Sequence, residues 1–286
     1  MNIKLYIGAH KTATTHIQSM LENSKNILIE NGIKLLTPKN LRPNFLDSLI
    51  KVVNSSVLED IKTLIIAEEN IIGVPYDFKI YHGIYPKIQN RLNNIKNIFP
   101  NADIEIFFSI RAYDSFYRSI YLEVVRNRGY MPFNKFYNKK KFKDNSWVFV
   151  LESISAIVPK ENITLWCYED LHELFPLIID NLTGLKKSDE IISKYKVQRT
   201  RASLSSKTIK VLDSFYSSGN QEEGSKIIEY LNNKYPLNKI NLPYLPFNEL
   251  EVTGLKDKYI EDIKLIQNLY PNINLLNING YNLNAL

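Results

Sequence analysis

A chain of 286 residues with 44% hydrophobic and 12% aromatic side chains carries enough apolar material to bury a large core, which excludes a wholly disordered protein. Its formal charge of +6 suggests an anionic partner, and a single cysteine, Cys167, excludes both an intrachain disulfide and a cysteine-rich metal site. No apolar run reaches the ~18 residues of a membrane span, and the polar loop at His10 comes too early for a signal peptide, so the chain reads as cytoplasmic.

The first element is an apolar strand, Lys4 to Ile7, that runs through Gly8 into the loop Ala9-His10-Lys11-Thr12-Ala13 and then into a helix with Ile17, Met20, Leu21 and Leu28 at helical spacing. Asn31-Gly32 stops that helix before a short strand, Ile33 to Leu36. Thr63 to Ala67 is a β-branched and aliphatic run of the kind buried on both faces of a parallel sheet, and it ends in Glu68-Glu69-Asn70. A helix is predicted from His82 to Phe99, then a strand from Ile104 to Ile110 closed by Arg111, then a helix from Asp114 to Arg126 ended by Asn127-Arg128-Gly129. A helix from Trp147 to Val158, a strand from Ile163 to Tyr168 and helices at 171–182, 206–216 and 221–235 follow. Residues 236–253 hold three prolines and read as irregular before a last helix at 256–269. Strands alternating with helices predict an α/β fold with a mostly parallel, doubly wound sheet and a helical C-terminal half, as one domain over 1–286. The charge run Lys139-Lys140-Lys141 reads as a solvated loop, and Cys167 as a small buried strand residue.

The strand-loop-helix at the N-terminus makes an anion site. Amide groups at a helix start have no intrahelical partner and sit at the positive end of the helix dipole; Lys11 adds a full charge, and Thr12, Thr14 and Thr15 add hydroxyls. The P-loop spacing G-x-x-x-x-G-K-[ST] is not met, because Lys11 follows Gly8 by only three residues. Gly8-Ala9-His10-Lys11-Thr12-Ala13-Thr14-Thr15 instead resembles the 5′-phosphosulfate loop of sulfotransferases, Lys-(Ser/Thr)-Gly-Thr-Thr after a strand, with Ala13 in place of the glycine. A family arginine at a strand end, followed eight residues later by a serine that shares the 3′-phosphate, is matched by Arg111 and Ser119, with Ser115 as the nearer alternative. Leu165 to Leu171 resembles the family's strand and Tyr-Glu-Asp-Leu turn, in which Asp170 is expected to cap the next helix, and Arg199 or Arg201 occupies a place where the family carries a basic segment near the cofactor.

The resemblance, which spans 4–215, implies a P-loop-like fold with a donor-binding core at 1–130 and acceptor-side elements at 131–286. It also implies transfer of a sulfuryl group from 3′-phosphoadenosine-5′-phosphosulfate to a hydroxyl, as on a carbohydrate or glycolipid, without a metal. On that reading His10, Lys11, Thr12, Ala13, Thr14, Thr15, Arg111 and Ser119 bind the donor, Lys11 stabilises the leaving phosphate, and Glu69 is the base. Glu68, His10 and His82 are the alternative bases; of the two adjacent glutamates on a strand, only one is expected to face the site. Tyr113, Phe116, Tyr117 and Tyr121 fall on a core-facing helix stripe, from which one ring is available to stack on adenine. The rival readings are a nucleotide kinase and a catalytically silent nucleotide- or glycan-binding protein; no aromatic-basic motif supports a nucleic-acid binder.

Overall fold

A computed structural model describes residues 1–54, 61–194 and 203–277. Six parallel strands form one sheet: β1 (Asn2–Gly8), β2 (Ile33–Leu36), β3 (Thr63–Ala67), β4 (Asp103–Ile110), β5 (Ile163–Cys167) and β6 (Asn274–Leu275), in the order β2-β3-β1-β4-β5-β6. From β1 the chain crosses to β2 at one edge and returns to β3, then passes over β1 to β4 and moves outward through β5 and β6 on the other side. The carboxyl ends of β1 and β4 therefore border the crevice where the winding direction changes, the place where open α/β sheets bind ligands.

Strand periodicity builds the two core layers. Along β1, Ile3, Leu5 and Ile7 enter one apolar cluster, with Phe108, Phe116, Trp147 and Ile263, while Tyr6 enters the other, with Ile17, Met20, Trp166 and Ile178. Cys167 is buried at the end of β5, as its strand setting implies. Tyr113, Phe116, Tyr117 and Tyr121 are all buried in the larger cluster, so the stripe is core packing.

The helices depart from expectation at identifiable points. The first splits at Ser24, whose dihedrals leave the helical region, into Thr14–Asn23 and Lys25–Glu30. The helix expected from His82 begins at Ile88, because His82 and Tyr85 adopt positive φ (52° and 51°), which a continuing helix excludes. His82 instead ends a short helix, Asp77–Tyr81. Two helices, Pro38–Leu41 and Phe45–Val53, form where none was expected, and the 221–235 segment breaks at Ile227. The last helix starts earlier, at Glu249, because Asn248 and Glu251 form a reciprocal capping box. Asp170 stands at the N-cap position of helix Leu171–Thr183 without a side-chain cap bond.

Candidate active site at the carboxyl edge of the sheet

β1 ends at Gly8 with φ of 113°, a conformation open to glycine, and a Cβ there would lie 3.0 Å from the His10 nitrogen. The chain then alternates into the left-handed region at Lys11 (φ 62°) and Ala13 (φ 63°) before helix Thr14–Asn23 begins. Ala13 thus stands in the backbone state that favours glycine, at a cost of about 1 kcal/mol. The turn leaves five consecutive amides, Lys11 to Thr15, without a hydrogen-bond acceptor among the described residues, whereas Ala9 N–H is given to Ser109 and His10 N–H to Tyr85 Oη. Successive amides of this kind at a helix start form an anion-binding concavity.

The threonines divide. Thr12 is buried and its hydroxyl donates to the Ala9 carbonyl at 2.6 Å, holding the loop on itself; Thr14 is buried; Thr15 is exposed at the mouth.

Arg111, one residue past β4, lies against the loop. Its Nη1 donates to the Lys11 carbonyl and its Nε to Ser115 Oγ at 2.8 Å, and the guanidinium stacks 4.4 Å above the Tyr168 ring. Burial lowers its pKa, against Tyr168 and Glu169, which raise it. Trp147 Nε1 donates to the Arg111 carbonyl at 2.9 Å, and Glu169 accepts from Ala112 N–H and Tyr259, fixing the start of helix Tyr113–Arg128. Ser115, rather than Ser119, meets the guanidinium.

Ser115, Ser119 and Glu123 follow one another at four-residue steps on this helix and so share a face. One end of the row touches Arg111. The other touches Lys11, whose Nζ lies 3.1 Å from Glu123 Oε2. Ser119, between them, is half-buried on the same helix face. Glu123 escaped the sequence reading, although its four-residue step from Ser119 was visible.

β3 delivers the acidic pair. Both glutamates reach the same cation. Arg42 donates through Nε and Nη2 to Glu68 (2.8 and 2.6 Å) and through Nη2 to Glu69 Oε1 (3.0 Å), because the chain leaves the strand at Glu68 and turns into a 3-10 segment from Glu69 to Ile71. Glu68 is fully buried and also accepts from Asn70 N–H, which makes it a structural anchor. Glu69 is more open, and its Oε2 accepts from Gln18 at 2.9 Å. Gln18 is a buried polar residue on the apolar face of the first helix, a signal that sequence alone displayed.

His10 is buried. With the Asn70 amide turned so that its carbonyl accepts from Arg42, its nitrogen donates to His10 Nε2 at 3.0 Å, and the ring proton lies on Nδ1 beside Tyr85 Oη at 2.9 Å. Burial lowers the His10 pKa more than Glu69 raises it. Burial acts to raise Glu69, but His10, its own backbone N–H, Arg42 and Gln18 reverse this and hold the carboxyl below the usual range. The lowered Glu69 carboxyl is ionised at neutral pH.

The structure does not bring His82 to this site: its Nε2 lies 3.1 Å from Lys141 Nζ, on the surface that carries the Lys139–Lys141 run. Arg199 and Arg201 lie outside the described residues. No described helix is long and apolar enough to cross a membrane, and no cluster of three or more potential metal-ligating side chains occurs among the described residues.

No family model matches the chain, and no curated protein matches it. Among solved structures the chain is similar to the crystal structure of a sulfotransferase from Alicyclobacillus acidocaldarius, with 12% sequence identity, 80% of this chain and 96% of that chain covered, and a TM-score of 0.40. An overlap this loose assigns no activity, and the functional reading rests on the site.

Proposed function

We propose that the protein is a sulfotransferase that moves a sulfuryl group from 3′-phosphoadenosine-5′-phosphosulfate to a hydroxyl of a carbohydrate or glycolipid acceptor. The observation that carries the reading is the convergence of the Lys11–Thr15 amides, the Lys11 side chain and Arg111 around one crevice. Two cationic side chains and a run of amides suit a ligand with anionic groups at both ends. On this reading the loop holds the 5′-phosphosulfate and Arg111 with Ser119 takes the 3′-phosphate.

In the reaction the acceptor oxygen attacks sulfur, the bond from sulfur to the bridging phosphate oxygen breaks, and the electron pair leaves on that phosphate. Lys11 and the loop amides stabilise the charge that develops there. The acceptor proton passes to Glu69, which is ionised and more open than Glu68. Glu68 braces Arg42, and His10, with both ring nitrogens engaged, braces the loop against Tyr85 and Asn70.

The test is calorimetric titration of the purified chain with 3′-phosphoadenosine-5′-phosphate, against ATP with Mg²⁺, repeated on Lys11→Ala and Arg111→Ala. Micromolar binding of the bisphosphate, lost in both variants and with ATP bound weakly, supports the reading and opens an acceptor screen with Glu69→Gln as control. Preference for ATP with Mg²⁺, or indifference to the 3′-phosphate, overturns it in favour of a kinase or a silent binding protein.

A further inference from the structure

The Lys11 ammonium is not held by the loop it serves. It reaches across the crevice to Glu123, which also takes Asn127 Nδ2 at 2.8 Å on its other oxygen and has Arg126 Nη1 3.9 Å away. The carboxylate side chain is 12% exposed and the lysine 34%, so the pair is partly screened from water. Burial acts to raise the Glu123 carboxyl, but Lys11, Asn127 and Arg126 hold it below the usual carboxylate range.

We propose that Glu123 is the resident counter-ion of Lys11, a positioning residue that occupies the ammonium until the donor's phosphate displaces it. This rests on the donor site described above. Three features support exchange over a permanent brace. Glu123 retains Asn127 and Arg126 when Lys11 departs, so release strands no buried charge. The Lys11 stem is long, flexible and the more exposed of the two partners. Glu123 also continues the row that carries Ser115 and Ser119, so the ammonium, swinging from it, stays over the crevice.

The consequence is a common cost: a ligand must outcompete an internal carboxylate for Lys11, which weakens the binding of every anion that takes the ammonium. Removing the carboxylate is therefore expected to tighten anion binding, the opposite of what the loss of a structural brace does.

The experiment is titration of the unaltered chain, Glu123→Gln, Lys11→Ala and the double variant with 3′-phosphoadenosine-5′-phosphate, and in parallel with inorganic pyrophosphate. Glu123→Gln is expected to bind both probes about two- to fivefold more tightly, the range of a partly exposed ion pair. The gain is expected to vanish in the Lys11→Ala background. Equal or weaker binding of pyrophosphate by Glu123→Gln, no binding by either chain included, overturns the proposal. So does an equal gain without Lys11, which marks a long-range charge effect. Glu123→Asp, which keeps the charge, separates a folding defect from loss of the counter-ion: it is expected to bind as the unaltered chain does, and tightening there also overturns the proposal. Failure of the bisphosphate alone to bind the unaltered chain overturns the sulfotransferase reading, and the pyrophosphate arm still decides the role of Glu123.

Discussion

Arg111 donates from its guanidinium to the backbone carbonyl of Lys11, one hundred positions earlier in the chain, and so ties the ends of β4 and β1 together at the crevice. The same guanidinium holds Ser115 and lies on Tyr168, which uses the planar fork on three sides at once. A lysine ammonium at this position has no plane to stack and cannot hold both bonds in a fixed fork. Arg111→Lys is accordingly expected to lose bisphosphate affinity about tenfold or more despite keeping the charge, in line with loss of charge-assisted bonds worth about 1.5–3 kcal/mol each. Calorimetry checks this, and retention of affinity in Arg111→Lys would show that charge alone matters.

Ala13 gives a second expectation. Its φ of 63° places a Cβ in the left-handed region, where a glycine carries no steric cost. Ala13→Gly is expected to relieve up to about 1 kcal/mol and raise the unfolding midpoint by about 2 °C. Ala13→Val, with a branched side chain in the same backbone state, is expected to lower the midpoint by several degrees. A fall in the glycine variant would mean that its added unfolded-state freedom exceeds the local strain.

Much of this architecture was legible in the sequence, for physical reasons that also explain what was missed. Thr63 to Ala67 and Ile163 to Cys167 are continuous apolar runs, and β strands formed there because both of their faces are buried. Gly8, Lys11 and Arg111 were legible because they lie at or just past strand ends, where a parallel sheet exposes its crevice. The break before Ile88 was hidden because it depends on left-handed dihedrals at His82 and Tyr85, to which neither residue type commits the chain. Arg42 was missed because it acts from an irregular segment between two short helices, and only the fold carries it to Glu68 and Glu69.

The row of Ser115, Ser119 and Glu123 separates two roles that spacing alone left joined. Ser115 orients Arg111, so Ser115→Ala is expected to weaken bisphosphate binding a few-fold through a looser guanidinium. Ser119 has no side-chain partner among the described residues and shares the helix face of Ser115 and Glu123, so Ser119→Ala is expected to cost about tenfold, the worth of one hydrogen bond to a charged oxygen. Titrating adenosine-5′-phosphosulfate, which lacks the 3′-phosphate, provides the control. Ser119→Ala is expected to leave its affinity unchanged, and an equal loss with both ligands would remove Ser119 from the 3′-phosphate.

His10 links the loop to stability. Its pKa is lowered in the fold, chiefly by burial, so the unfolded chain binds the proton more readily. Stability is therefore complete above the ordinary histidine value of 6.5 and is lost as pH falls from there toward the lowered folded value. His10→Gln, which cannot take up a proton, is expected to show a flatter decline in unfolding midpoint between about pH 7 and 5. Identical pH slopes for the two chains would place the acid sensitivity elsewhere, with His16 and His82 the other lowered imidazoles.

Arg42 tunes the acid pair, and its removal distinguishes a base from a brace. Glu69 is held below the usual carboxylate range by a set of contacts that includes the Arg42 guanidinium at 3.0 Å. A lowered value keeps the carboxylate ionised but makes it a weaker proton acceptor. Arg42→Gln removes the charge, so the Glu69 pKa is expected to rise, observable by carbon-detected NMR titration of its carboxyl. If Glu69 takes the acceptor proton, the acid limb of kcat/KM moves to higher pH by the same amount, because the ionised form is the active one and now exists over a narrower range. A shift in the carboxyl titration without a shift in the rate profile would leave Glu69 as part of the Arg42 clamp and move the search for the base to other groups at the crevice.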